Sequence, residues 1–258
     1  MRFDSFIFVP AYNVEKTLAE VLSKIPAEVW NRSRILVVND GSRDGTEKAF
    51  YEYAKLVREK YGDQAACRLD YFCFEKNSGY GAVVKKGLTE GIASGAKFVA
   101  CLHGDGQYPA ALLDQFLDHL ENFRTTDGQG RESAPLALLQ GSRHAVAGGA
   151  KKGNMPLHKR VGGAFLTALE NLAFKQKLTD RHSGFILYRT DFLKTLDLEK
   201  LSTSFDIDLE LIAIADARGF KVGELPIPTV YAEETSNLNV VNYGLRCLRL
   251  VWRRLWMK

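Results

Sequence analysis

The 258-residue sequence contains no apolar run near the roughly 18–20 residues that a membrane-spanning helix needs. Its opening residues, MRFDSFIFVPAYN, carry an acid and too short an apolar stretch for a signal peptide, so they are read as a first strand. The four cysteines, Cys67, Cys73, Cys101 and Cys247, form no CxxC pair and have no nearby histidine at zinc-binding spacing. They are expected to be reduced and mostly buried. No G-x-G-x-x-G and no G-x-x-x-x-G-K-[ST] is present, which weakens dinucleotide and P-loop readings. There is no internal repeat and no long linker. The stretch 246–258 contains no acid, although it holds Arg246, Arg249, Arg253, Arg254 and Lys258. That local excess, in a chain of net charge only +4, points to phosphates or anionic lipid. Nucleic acid is not expected, because no aromatic-basic recognition pattern accompanies it.

What is present is one repeated pattern. Short β-rich runs end in turn clusters and are followed by amphipathic helical stretches. Residues 6–9 lead to Pro10-Ala11-Tyr12-Asn13 and a helix over 15–25. Residues 35–38 lead to Asn39-Asp40-Gly41-Ser42-Arg43-Asp44-Gly45 and a helix over 46–61. Residues 69–74 lead to Asn77-Ser78-Gly79-Tyr80-Gly81 and a helix over 82–93. Residues 98–102 lead to His103-Gly104-Asp105-Gly106-Gln107 and a helix over 111–123. This alternation predicts an α/β fold, a mostly parallel sheet covered by helices. In such sheets ligands bind where the strands end, so the four turns are expected to converge on one site.

The second half is less regular. Residues 136–140 read as a strand ending at Gly141-Ser142-Arg143, and the Gly- and Lys-rich 147–154 as a lid or a disordered segment. A helix is expected over 161–174, a strand over 186–188 after Asp180-Arg181-His182-Ser183-Gly184-Phe185, and a helix over 205–217. The prolines in 221–228 suit an edge strand. Two units follow from this: a domain over 1–238, and an amphipathic helix over 239–258. The apolar face of that helix carries Leu245, Leu248, Val251, Trp252, Leu255 and Trp256, opposite the cations. That face suits a membrane interface, and equally suits packing on the domain or on a second subunit of a homo-oligomer.

Asp40, at a strand tip, is placed to accept hydrogen bonds from a nucleobase or ribose, whereas Asp44 is read as capping the next helix. The order and spacing of Pro10-Ala11-Tyr12-Asn13, of 38–46, of 77–81 and of Asp105-Gly106-Gln107 resemble the family 2 glycosyltransferases of GT-A (Rossmann-like) fold, over about residues 5–235. Gly141-Ser142-Arg143, Ser183-Gly184-Phe185, 205–210 and Glu224-Leu225-Pro226-Ile227 resemble, within that family, the dolichyl- and polyprenyl-phosphate sugar synthases.

The resemblance implies a UDP- or GDP-linked sugar donor, with Pro10, Tyr12, Asp40 and Gly79 at the nucleotide. It places Asp105 and Gln107 beside the diphosphate and a Mg²⁺ or Mn²⁺ ion. Here the sequence departs from the family's Asp-x-Asp, because His103 stands where the first acid would be. Three readings are open for His103: a metal ligand, a hydrogen-bonding group behind the ligands, or an ordinary strand-end histidine. Arg143 and Arg160 are candidates for phosphate. Lys151, Lys152 and Lys159 read as solvated surface. The resemblance carries over Asp180, Ser183 and Asp206 as acceptor-side residues. Asp208 and Glu210 are expected on an exposed helix face, and His182 in a structural role.

Two enzymatic readings follow. One is an inverting, metal-dependent transfer to a polyprenyl or dolichyl phosphate at the cytoplasmic face of a membrane. The other is transfer to a saccharide hydroxyl, as in cell-surface polysaccharide synthesis, with Asp180 or Asp206 as general base. A degenerate nucleotide-sugar binding module is the non-enzymatic rival, supported only by the lost acid at His103.

Overall fold

The computed structural model describes residues 3–123, 135–145, 157–228 and 240–256. The expected lid or disordered segment over 147–154 lies outside them. The elements are β1 (Ser5–Ala11), α1 (Leu18–Ser23), α2 (Ala27–Arg32), β2 (Ser33–Asn39), α3 (Thr46–Tyr61), α4 (Asp63–Ala66), β3 (Leu69–Cys73), α5 (Tyr80–Ala93), β4 (Phe98–Cys101), α6 (Leu113–Asn122), β5 (Leu136–Ser142), α7 (Leu157–Ala173), β6 (Ile186–Arg189), α8 (Thr190–Leu193), α9 (Ile207–Ala217), β7 (Lys221–Pro226) and α10 (Val240–Trp256). The first helix is shorter than expected, and the short α2, α4 and α8 carry too little periodicity to be seen in the sequence.

The strands form one sheet in the order β3-β2-β1-β4-β6-β5-β7. β1 pairs in parallel with β2 and β4, and β5 with β7, whereas β6 runs antiparallel to both β4 and β5. Alternate residues of β1 serve the two faces. Ile7 and Val9 pack with α1, α2 and α6, while Phe6 and Phe8 pack with α5, α8 and α9. Burial on both sides is why this strand reads as a continuous apolar run. β7 is an edge strand, as its prolines suggested.

The reversal of β6 positions the site. A strand antiparallel to β4 begins where β4 ends. The segment entering β6, Asp180 to Phe185, therefore lies at the same sheet edge as the turns after β1, β2 and β4. The N–H of Gly141 donates to Phe185 O at 2.8 Å and fixes that entry against the end of β5.

α10 packs on α7 and α9 through Tyr243, Cys247 and Leu250, which contact a cluster of Leu166, Phe174, Leu209 and Ala213. Leu245, Leu248 and Trp252 remain exposed. Of the cysteines, Cys101 and Cys247 are buried, but Cys67 and Cys73 are exposed. They lie on the outermost elements, α4's end and edge strand β3, where there is no second layer to cover them.

α5 crosses β1 at Gly87, where an added Cβ would stand 2.2 Å from the Phe8 ring. Alanine usually favours a helix interior by about 1 kcal/mol over glycine. Overpacking a well-filled core costs about 1–3 kcal/mol, so the steric term wins here. Gly87→Ala should therefore lower the stability measured by urea unfolding, whereas Gly162→Ala in α7, with nothing within 4 Å of its added Cβ, should raise it.

Candidate active site

The turn after β2 is built against the turn after β1. Asn13 N–H donates to Ser42 Oγ at 2.9 Å, and Arg43 N–H donates back to Asn13 Oδ1 at 2.9 Å. Asp44 accepts from Thr46 N–H at 3.0 Å and from Glu15 N–H at 3.1 Å, so it serves the start of α3 and the first turn together. Asp40 is buried, and its two oxygens accept from Ser78 N–H at 2.6 Å and Gly79 N–H at 3.0 Å. Burial raises its pKa, and the two N–H groups offset only part of that. Gly41, at φ +66°, leaves no room for a side chain, since a Cβ would lie 2.7 Å from Lys76 C. Asp40 and Gly41 thus hold the 76–79 turn close. Pro10 and Tyr12 flank this floor, both half-buried.

The His-Gly-Asp turn is pinned to the same floor. Gly104 N–H donates to Pro10 O at 2.9 Å, and Thr17 Oγ1 donates to Gly104 O at 2.7 Å. Asp105 is half-buried, and its Oδ1 accepts the Gln107 N–H at 3.0 Å. The Asp105 carboxylate and the Gln107 side-chain amide are both hard oxygen donors of the type that fits Mg²⁺ or Mn²⁺.

His103 faces the protein body. Its Nε2 lies 3.2 Å from the Tyr80 hydroxyl, and its ring packs between Tyr80 and Tyr108, with centroids 5.4 and 5.0 Å away. Burial lowers its pKa despite the nearby Asp105 charge and a bond to Gly184, so the imidazole is neutral at pH 7. The Tyr80 hydroxyl donates onward to Asp208 Oδ2 at 2.9 Å. Asp208 is buried, not on the exposed face expected of it, because α9 turns its first residues under the loop over 202–204 and against α5. Glu210 is half-buried and accepts Ser202 N–H at 2.7 Å.

Where β5 meets the segment entering β6, Arg143 and Asp180 form a bidentate pair, Nε to Oδ2 at 2.7 Å and Nη2 to Oδ1 at 3.0 Å. Asp180 also accepts the N–H groups of Arg143 and His182. Burial opposes its ionisation, but the Arg143 charge and these bonds outweigh it and hold the carboxyl at about 2. Ser183 is fully buried beside it, its Oγ accepting Phe185 N–H at 3.4 Å. Asp206 Oδ1 accepts from Ser202 Oγ at 2.8 Å and pairs with Arg246 of α10 at 3.3 Å. Arg160 belongs to α7 by its backbone, and its side chain, like that of Lys159, lies outside the described residues. Lys151 and Lys152 lie outside them altogether.

Tyr80, Tyr108 and Asp208 are the residues that sequence reasoning missed here. Tyr80 lies inside the 77–81 turn cluster, where it reads as turn chemistry. Tyr108, whose hydroxyl accepts Gly184 N–H at 2.8 Å, directly follows the polar cluster 103–107.

A family model described as glycosyl transferase family 2 matches residues 6–197. Among curated proteins, the chain is 26% identical over 236 residues to a UDP-N-acetylglucosamine–dolichyl-phosphate N-acetylglucosaminyltransferase of Methanococcus voltae, covering 88% of this chain and 86% of that one. It is 28% identical over 228 residues to the dolichyl-phosphate β-glucosyltransferase ALG5C of Trichomonas vaginalis, covering 85% of this chain and 61% of that one. Among solved structures it is similar to glucosyl-3-phosphoglycerate synthase of Mycobacterium tuberculosis with bound UDP, with TM-score 0.65 and 15% identity over 100% of this chain and 81% of that one. The same enzyme has been solved with Mn²⁺, UDP and phosphoglyceric acid. This likeness shows the GT-A fold.

Asp208 yields a test of the buried network. Its Oδ1 has no hydrogen-bond partner, and burial raises the carboxyl to about 7, only partly offset by the Tyr80 bond. The folded state thus keeps a proton that the unfolded state releases near pH 4, so this group's contribution to stability falls between about pH 4 and 7 and levels off above. Asp208→Asn keeps the shape without the charge. Urea midpoints should move in favour of the variant, relative to the unsubstituted protein, as pH rises from 4.5 to 7.5 (roughly the window set by those two pKa values). A constant difference would overturn the protonated assignment.

Proposed function

The chain belongs to glycosyl transferase family 2, and from that membership we propose that it transfers a sugar from a nucleotide-sugar donor to a polyprenyl or dolichyl phosphate. The observation that carries this reading over transfer to a saccharide hydroxyl is the state of the two acceptor-side acids. A hydroxyl nucleophile needs a general base with a pKa near the working pH. Asp180 is held at about 2 with both oxygens engaged by Arg143, and Asp206 is tied to Ser202 and Arg246. A phosphate monoester is already an anion. It needs cationic, hydrogen-bonding surroundings, for which Arg143, although paired with Asp180, is proposed together with Arg160 and Ser183. The names of the Methanococcus and Trichomonas relatives, both dolichyl-phosphate sugar transferases, support the same acceptor.

In this reading Pro10, Tyr12 and Gly79 line the nucleotide. Asp40, whose carboxylate has lone pairs beyond the two N–H bonds it accepts, takes an N–H or O–H of the base or ribose. Asp105 and Gln107 hold a divalent cation, a role supported by the Mn²⁺ bound with UDP in the mycobacterial neighbour. When bound, that ion neutralises charge on the leaving diphosphate. His103 acts behind it, keeping the turn in place through Tyr80. An acceptor phosphate oxygen attacks the anomeric carbon from the face opposite the leaving group. A carbon–oxygen bond forms, the bond to the diphosphate breaks with its electron pair going to the departing oxygen, and the configuration inverts. Mg²⁺ and Mn²⁺ both suit the oxygen donors.

The protein would meet its lipid acceptor as a peripheral protein at the cytoplasmic membrane face. Among the described residues no helix is long and apolar enough to cross a membrane. α10 instead exposes Leu245, Leu248 and Trp252 with Arg249 and Arg253, and α7 exposes Phe165 and Leu172.

Two experiments test these readings. With UDP- and GDP-sugars and Mn²⁺, radiolabel should pass to dolichyl phosphate and not to dolichol or a free saccharide, and chelation should stop it. Asp180→Asn should lower the rate while leaving the acidic limb of the pH–rate profile in place. Transfer to a hydroxyl acceptor alone, or loss of that limb, would favour the general-base route. Separately, the Leu248→Glu/Trp252→Glu variant should float less than the unsubstituted protein with anionic vesicles, and equal flotation would exclude α10 as the contact.

A further inference from the structure

Glu170, His182 and Cys247 take no part in that chemistry, yet they meet inside the protein from three separate segments. Glu170 lies on α7, His182 on the segment entering β6, and Cys247 on α10. Their candidate ligand atoms all lie within 4.8 Å of one another. The side chain of Glu170 is 0% exposed and that of His182 10%, and Cys247 is fully buried. Neither carboxyl oxygen of Glu170 has a hydrogen-bond partner, nor has His182 Nε2. Buried polar atoms are nearly always partnered, so three orphans facing one point call for a cause.

The other nitrogen of this histidine is accounted for. His182 Nδ1 lies 2.8 Å from the Tyr243 hydroxyl, which also faces the Cys247 sulfur one helical turn along α10. With Nδ1–H donating to Tyr243, the Nε2 lone pair faces Glu170. An outer group that sets the tautomer and touches a second ligand is the usual support of a metal-binding histidine.

The alternative is a direct contact between Glu170 and His182. Burial raises Glu170 to about 8 and lowers His182 to about 4, so without a cation both are neutral. A protonated Glu170 could then donate to Nε2, but at 3.4 Å the contact is longer than a sound hydrogen bond and leaves the second oxygen orphaned.

We propose that Glu170, His182 and Cys247 form a structural site for a Zn²⁺-class cation that fastens α10 to α7 and to the segment carrying Asp180 and Ser183. One imidazole nitrogen, one thiolate and one carboxylate are the donor types of zinc and cobalt sites, not of magnesium. Tetrahedral ligands stand about 3.5 Å apart, so the side chains close by roughly an ångström when the site fills. The second Glu170 oxygen or a water completes the four. The thiolate and carboxylate cancel the cation's charge, so the neighbouring Arg181 guanidinium, stacked on Phe174, meets no net repulsion.

The probe is Co²⁺ added to metal-free full-length protein. It should bind with a near-ultraviolet thiolate-to-cobalt absorption, which a site made by Asp105 and Gln107 cannot give because it holds no sulfur. Cys247→Ser should abolish the band. Zn²⁺ should raise the Tm of the unsubstituted protein, and the shift should shrink in Glu170→Gln. The unsubstituted protein alone decides the matter if a variant does not fold. No band and no Tm shift would overturn the proposal and leave a neutral packing cluster. A band that survives Cys247→Ser would overturn it too, by placing the thiolate at another cysteine.

Discussion

The bidentate pair between Arg143 and Asp180 joins the end of β5 to the segment entering β6, and the proposed acceptor side of the site is built on it. Its side chains are nearly enclosed, at 14% and 2% exposure. In such a place two charges gain little net stability over an apolar pair, but removing either leaves the other unpaired at a cost of about 3–5 kcal/mol. The pair is therefore better understood as a fixture than as a source of stability. The further bond from Arg143 Nη2 to His182 O fixes the backbone between Asp180 and Ser183. Gln140 of β5 donates to Asp180 O from below. Polar groups from β5 and its following turn thus set both the position and the charge of the segment.

This fixture is possible only because β6 is reversed. Were β6 parallel to β4, its leading segment would emerge at the opposite sheet edge, far from the turns after β1, β2 and β4. The proposed donor side therefore follows from four strand-turn-helix units, each local in sequence, and the proposed acceptor side from one long-range pairing.

That difference explains what could be read before the structure. The turns at Pro10, Asp40, Gly79 and Asp105 were legible because a buried parallel strand ending in Gly, Asp and Asn announces itself within ten residues. α3 was legible to the residue, from periodicity alone. The direction of β6 was not, since a four-residue apolar run carries no sign of its partner. Asp208 and Glu210 were assigned to an exposed face because α9 looks amphipathic at its start. Their burial comes from α5 and the 202–204 loop, whose closeness depends on Gly81, where a Cβ would stand 2.3 Å from Thr203 C. Cys247 and His182 are 65 residues apart in the numbering, and nothing in their spacing hints that they meet.

His103 shows how the two halves bear on each other. A second carboxylate at that position would place two acids at the end of β4, beside a buried Asp208. The chain has instead a neutral imidazole enclosed by two tyrosines. Its Nε2 is committed inward to Tyr80, whose hydroxyl donates to Asp208, and Gly184 of the acceptor-side segment leaves room for it, since a Cβ there would lie 2.6 Å from Nε2. The residue that replaces the family's first acid thus contacts both the floor of the donor side and the segment that carries Asp180. A neutral imidazole adds no second charge beside the half-buried Asp105, and on the proposed reading hard-cation binding is left to Asp105 and Gln107. A single carboxylate holds a divalent ion weakly unless other oxygens complete the shell. On the reading proposed above, those oxygens would come from the donor's phosphates, and the ion would bind together with the substrate.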